Sequence, residues 1–405
     1  MTDIHNVRIS KPQGPATDHA EALRLGKPGV WVGAPSPFGL ALPSAAPNAS
    51  QLYGPRGVWI DQQRLIVCDS GNHRVLIWNS IPEADKSPAD IVLCQPGFES
   101  EGPNAAGRGP ANGLHLPTGV MVIQGRLVVA DAWHHRILVW NQIPETSDVP
   151  PDYAIGQADL DSVEVNRGGQ VSAHSLYWPY GLGWVNERFY VADTGNRRVL
   201  AWKGFPTEDR PADVVLGQPT FDVNEENRGG TVGPSTFRWS HDICGNEDQL
   251  FVADAGNHRI LIWNGHPDED RPADAVLGQA GFDSAYELPY DAQGPSRLRF
   301  PYAIAMVGKL LAAADTANNR ILCWRLPLAN QKFAAALDVL GQPDFAGNGE
   351  NGWQNVNRGS LCWPYGICFS GNRLAIADSG NNRVMLWDMS DLVTEAESGL
   401  VEAKQ

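Results

Sequence analysis

The residues of this chain that could do chemistry are few and fall in no single motif. Ser240, His241 and Asp242 set an imidazole beside a carboxylate, the pairing from which general acid–base work is built. Trp133, His134 and His135 put two histidines side by side and raise the question of a metal or catalytic site. His115, His174, His241 and Asp242 are side chains of the kinds that hold calcium or zinc, either of which would need three or more of them together. Their spacing suggests no particular metal. The order of a Ser, His and Asp hydrolase, a phosphate loop and a dinucleotide fingerprint are all lacking, because the GxG runs lie in turns and not at strand-to-helix junctions. Six cysteines (Cys68, Cys94, Cys244, Cys323, Cys362, Cys368) include no CxxC pair and sit mostly in apolar runs such as LIVCDS. Reduced thiols pack there as small hydrophobes, which points to a reducing compartment.

What must position these residues is a repeat. DSGNHRVLIW from Asp69 returns as DAWHHRILVW from Asp131, DTGNRRVLAW from Asp193, DAGNHRILIW from Asp254, DTANNRILCW from Asp315 and DSGNNRVMLW from Asp378. Spacings of 61 to 63 residues between successive aspartates mark units that bury their faces only against their neighbours. Each unit reads as Pro-x-Gly with an apolar segment, a polar turn, an alternating run ending in Asp, a second turn, an alternating run ending in Trp, an acidic Pro-rich loop and a short apolar segment such as DVVLGQ. Those are four short strands. Six such units describe an all-β, six-bladed β-propeller. The sixth unit lacks its outer-strand motif, while GVWVGAPSPF at residues 29 to 38 supplies one at the other end of the chain. An N-terminal strand is therefore expected to complete the last blade and close the ring. The expected organisation is an extension over 1–28, one propeller over 29–390 and a tail over 391–405.

The VADSGNHR…W unit, with Pro-x-Gly before it, resembles the NHL repeat over about residues 29 to 390. The resemblance implies a six-bladed propeller. It leaves the activity open, since NHL propellers include protein-binding platforms, RNA-binding domains and metal-dependent amidating lyases. Long-repeat NHL proteins of this LGQP type accompany bacterial redox enzymes, uptake nickel-iron hydrogenases among them. No lyase ligand can be carried onto this chain residue by residue.

A side chain present in all six units is structural, because a reaction needs one asymmetric constellation. The aspartates that open the turns are expected to accept hydrogen bonds from turn amides. The arginines five residues later are expected to pair with carboxylates between blades, and the closing tryptophans to pack between sheets. The residue after the variable Gly, Trp or Ala of the turn is Asn or His134, both tolerant of the left-handed region. By this reading WHH is a variant turn, in which Trp133 and His134 offer an exposed binding surface rather than a metal site.

Asymmetry appears at the starts of the inner strands, GPRGV, LPTGV, WPYGL, WSHDI, FPYAI and WPYGI. The fourth departs most. Round the ring, His241 is matched by Arg56, Thr118, Tyr180, Tyr302 and Tyr365. Two residues before the Pro position stand Tyr53, His115, Tyr177, Arg238, Arg299 and Cys362. His241 and Asp242, with Arg56, Tyr180, Tyr302 and Tyr365, are the catalytic candidates of a polar channel mouth that could take a small ligand. Each unit also carries a long insertion after its outer strand, on the face of the Asp-to-Arg turns. The motifs NRGG, NRGS and GRG place Arg108, Arg167, Arg228 and Arg358 there as candidate carboxylate-recognising groups. The acidic loops, PTEDRPAD for one, are expected on the opposite face, so that charge segregates.

A net charge of -15 over 405 residues works against nucleic acid, whose binding is driven by neutralising phosphates. The first residues hold no signal-like apolar core, and no run is long enough to span a membrane. The expected address is the cytoplasm, without membrane insertion. The leading expectation is a non-enzymatic scaffold that binds another protein, which the resemblance implies is a redox-enzyme subunit, through the loop-rich face, using Trp133, His134, Arg238, Arg299 and the loop arginines. No cofactor is expected in this reading. The alternatives are a metal-dependent lyase or hydrolase, with calcium or zinc at the channel mouth, and an RNA-binding propeller.

Overall fold

The structure, a computed structural model, describes residues 22–34, 46–287, 292–328 and 333–398. Six four-stranded antiparallel sheets stand round a central channel. Blade 1 runs Val58–Ile60, Leu65–Asp69, Arg74–Trp78 and Ile91–Leu93 from channel to rim. Blade 2 begins at Pro117–Ile123, blade 3 at Pro179–Val185, blade 4 at Ser240–Gly245, blade 5 at Pro301–Val307 and blade 6 at Pro364–Ser370. The rim strand of blade 6 is Lys27–Val32, paired antiparallel with Arg383–Asp388 (Val32 opposite Val384), so the start of the chain closes the ring as expected. Residues 35–38 of the predicted closing segment lie outside the described residues. After blade 6 the chain forms helix α1 (Ser390–Ser398). Its Glu395 pairs with Arg325 of blade 5. Among the described residues no helix is long and apolar enough to cross a membrane.

Middle strands such as Leu65–Asp69 and Arg74–Trp78 are buried on both faces, so alternate residues enter different cores. Val67 and Leu76 pack toward blade 6, while Ile66 and Val75 pack toward blade 2. Each closing tryptophan is at most 3% exposed.

The repeated turn differs from expectation in two ways. Each arginine pairs with the aspartate of its own blade and not across blades: Arg74 Nε donates to Asp69 Oδ2 at 2.7 Å, and all six pairs are completely buried. The same Oδ2 takes the turn Asn, and Oδ1 takes a backbone N–H sixteen residues upstream, that of Tyr53 in blade 1. Each carboxylate is thus held by donors from three segments, which ties the insertion loop to its blade. The left-handed residue is also one position later than expected, at His73, His135, Arg197, His258, Asn319 and Asn382, with φ between 53° and 56°.

That residue joins blade to blade. His73 Nδ1 accepts the Leu116 N–H of blade 2 at 3.1 Å, His135 Nδ1 that of Trp178, and His258 Nδ1 that of Phe300. Asn319 and Asn382 do the same through Oδ1, to Trp363 and Gly54. An acceptor ring nitrogen must be unprotonated, and burial lowers His73, His135 and His258 to about 4. Between blades 3 and 4 the residue is Arg197, which has no acceptor. There Ser240, replacing the usual proline, donates its hydroxyl to the Arg198 carbonyl at 2.9 Å. Part of blade 4's departure from the pattern is thus a structural substitute at that boundary.

Candidate functional site

Two tiers of side chains surround one end of the channel. The outer tier is the residue before Pro55, Pro117, Pro179, Ser240, Pro301 and Pro364: Gly54, Leu116, Trp178, Trp239, Phe300 and Trp363. Leu116, Trp178, Phe300 and Trp363 are held at φ of 50° to 55°. The left-handed region costs a bulky residue roughly 1–2 kcal/mol, and such strain persists where the surroundings over-determine it. Here the histidine and asparagine acceptors provide that constraint. Trp239, next to the Arg197 boundary, lies outside that region. The outer tier is half-buried or exposed and continues into Trp133, 48% exposed and 6.4 Å from the Trp178 ring. Tyr53 and Trp363, 47% and 39% exposed, line one groove with Leu116, Arg56 and Tyr365.

The inner tier is Arg56, Thr118, Tyr180, His241, Tyr302 and Tyr365, brought together as the sequence suggested. His241 stacks on Tyr302 (4.2 Å, 10° between planes) and lies 4.4 Å from Tyr180. Tyr365 is 5.0 Å from Tyr302, and the Arg56 guanidinium is 5.0 Å over the Tyr365 ring. These side chains, with Asp242 and the aliphatic Val120, Leu182, Ile243, Ile304 and Ile367, line a cavity of about 250 Å³.

His241 and Asp242 do not work as a pair. His241 Nδ1 faces the Trp239 carbonyl at 3.2 Å, while Asp242 Oδ2 accepts the Ile304 N–H of blade 5 at 2.9 Å. Burial lowers His241 to about 3 and raises Asp242 to about 7. The imidazole is therefore neutral at physiological pH, and the carboxyl is poised to titrate there. Elsewhere this second position is Gly or Ala, because the next inner strand passes close: a Cβ on Gly181 would meet the His241 carbonyl at 2.3 Å.

The metal candidates are not assembled. Among the described residues no three His, Cys, Asp or Glu side chains are placed to hold an ion. His115 lies by the rings of His73 and His134, at 5.2 and 5.5 Å. His174 is apart from these, 3.7 Å from Asp209. His134 is buried with Nδ1 2.7 Å from Asp131 and takes the place of the turn asparagine. It is not part of the exposed surface to which the sequence assigned it.

The loop arginines were also read incompletely. Arg167 pairs with Asp209, Arg228 with Asp270 at 2.6 Å, Arg108 with Asp148 and Arg358 with Asp85. For Arg108, Arg167 and Arg228 the aspartate belongs to the acidic loop of the blade that follows the arginine's own loop, whereas Arg358, in the loop between blades 5 and 6, reaches Asp85 of blade 1; the expected charge segregation gives way to these clamps. Arg167 and Arg228 occupy equivalent positions, twelve residues before Pro179 and Ser240, but Arg108 and Arg358 do not. Three different loop positions thus deliver arginine to the acidic loops, where Asp85, Asp209 and Asp270 are equivalent and Asp148 stands one residue later, after Ser147. Arg358 also donates to the Gly29 carbonyl and covers the Trp31 ring, which locks the closing strand. Arg238 and Arg299 pair with Glu226 and Glu287 and remain partly exposed near the channel mouth.

Sequence reasoning did not assign the glutamine of the LGQ motif. Gln157, 1% exposed, donates its amide to the His134 and Glu164 carbonyls, and Gln95, Gln218, Gln279 and Gln342 repeat the role. Its presence after five rim strands was the available signal.

Comparison with known families matches the NHL repeat at residues 52–78, the first three strands of blade 1, of which the other blades are copies. No curated protein matches the chain. Among solved structures it is similar to hydrazine synthase of Kuenenia stuttgartiensis, at 12% identity and TM-score 0.49, covering 86% of this chain and 97% of that one. A protein of unknown function from Bacteroides thetaiotaomicron is 12% identical with TM-score 0.47, over 88% of this chain and 73% of that one. Virginiamycin B lyase of Staphylococcus aureus is 12% identical with TM-score 0.42, over 84% and 97%.

Proposed function

We propose that this chain, an NHL-repeat β-propeller, is a non-enzymatic platform that binds another protein on the face bearing the insertion loops. The observation that carries the reading is the outer tier: four large apolar residues, Leu116, Trp178, Phe300 and Trp363, held in a strained backbone conformation round one opening and extended by exposed Trp133 and Tyr53. Aromatic residues on a rigid rim are what interface centres favour, and the inter-blade hydrogen bonds that fix the backbone of these residues make the rim rigid. Arg238 and Arg299 add charge at the edge of this surface. The partner would present an apolar patch with carboxylates at its border. A subunit of a bacterial redox enzyme, nickel-iron hydrogenases included, is the narrower form of the proposal and rests on the LGQP-type resemblance alone. The proposed setting is the cytoplasm.

The test is purification of the tagged chain from its native cells, with co-purifying proteins identified. A stoichiometric partner is expected for the natural chain, with recovery reduced at least tenfold by Trp363→Ala combined with Trp133→Ala, in a protein of unchanged unfolding midpoint. Equal recovery by the double variant would sink the reading.

A further inference from the structure

The inner tier contains a cation that has no carboxylate partner among the described residues. Arg56 forms no ion pair among the described residues; its guanidinium lies over the Tyr365 ring and within reach of the Tyr180 hydroxyl. Tyr180 is 4% exposed, and the Arg56 guanidinium is the polar group its hydroxyl faces. A half-buried cation without a counter-charge is costly. Every other buried arginine of the repeat has its aspartate, and the four loop arginines have theirs. The carboxyl in the cavity wall, Asp242, is engaged by the Ile304 amide.

We propose that Arg56 and Tyr180 form a site for a small amphipathic carboxylate, with the anionic group at the guanidinium and the phenol and a short hydrocarbon part against the aliphatic side of the same cavity. A carboxylate fits the chemistry better than a phosphate. One guanidinium offers a two-pronged match to two oxygens of a single negative charge. His241 beside it is neutral, so no second cation is present for a dianion. The cavity of about 250 Å³ carries Arg56, Tyr180 and Asp242 in its wall beside Val120, Leu182, Ile243, Ile304 and Ile367, so it offers a small molecule both polar and aliphatic surface. The same carboxylate could belong to a free acid or to the C-terminus of a docked polypeptide, because Arg56 also lines the groove of Tyr53 and Trp363 on the outer face.

Calorimetric titration of the isolated full chain with valerate tests this without any partner, so its failure would leave the platform reading untouched. One-to-one binding of valerate is expected, with valeramide and the Arg56→Leu variant each at least tenfold weaker. Tyr180→Phe, which keeps the ring, should weaken binding several-fold at an unchanged unfolding midpoint. Comparing short peptides that end in leucine, with the C-terminus free or amidated, separates the two sources. Tighter binding of the free-ended peptide than of valerate identifies a chain terminus, and the reverse order identifies a small acid. Absence of valerate and free-ended peptide binding, or binding that Tyr180→Phe and Arg56→Leu leave unchanged, overturns the proposal.

Discussion

At the scale of single residues, the histidines that first suggested chemistry serve as neutral hydrogen-bond acceptors. His73, His135 and His258 are held near 4 by burial, below the ordinary value of about 6.5. Between those values the unfolded chain takes protons that the folded chain refuses. Their contribution to stability is therefore lost as pH falls from about 6.5 to about 4. Asp242 works in the opposite sense: raised to about 7, it retains its proton when folded, and its contribution is lost as pH rises from about 4 toward 7. A comparison isolates the histidines, because asparagine already does their task at 319 and 382. The triple variant His73→Asn, His135→Asn and His258→Asn should lose less stability between pH 7.5 and 4.5 than the natural chain, by about 2 kcal/mol. That figure is far below full conversion of three shifts, since two of the rings are part-exposed and screened. Urea unfolding at the two pH values measures it, and parallel pH profiles would contradict the assignment.

At the scale of elements, the insertion loops are fastened at both ends. The conserved geometry of the turn aspartate ties the end of each loop to its blade, and the rim glutamine ties the beginning. In the loop between blades 2 and 3, Gln157 donates to the turn at His134 and to Glu164. Gln157→Leu removes both bonds in a fully buried place at a cost of about 1–3 kcal/mol. The expected effect is local: proteolytic cleavage within residues 158–176 should accelerate several-fold, while the sheets of blades 2 and 3 keep their amide protection. Protection lost through all six blades would show instead that the loop and the ring open as one unit.

For the molecule as a whole, closure joins the first described strand to the last blade. Trp31 and Val32 are buried there, worth roughly 4 kcal/mol together, and Arg358 and Asp85 fasten the strand at its rim. Deleting residues 1–33 should lower the thermal midpoint by about 5 °C or more and expose the edge of Arg383–Asp388 to self-association. A synthetic peptide of residues 22–34, added in excess, should restore much of the lost stability by occupying that edge. A deletion variant as stable as the natural chain would mean that the ring holds without its closing strand.

The sequence by itself determined the number of blades, the strands within each, and where the missing strand of the last blade is found. These are periodic properties: alternation sets which residues face a core, and a 61- to 63-residue repeat sets how often. It also assembled Arg56, Tyr180, His241, Tyr302 and Tyr365 correctly, because equivalent positions in a closed ring must meet at its axis. Only the tertiary structure decided what lies between blades. Arg167 and Asp209 are 42 residues apart, and Arg358 and Asp85 are 273 apart, so no local pattern links them; loops of adjacent blades become neighbours only once the ring has formed. For the same reason His134 read as a surface group. Whether a turn side chain points outward or back to its aspartate is fixed by the packing of three segments round one buried carboxylate, and the sequence shows only one of those segments at a time.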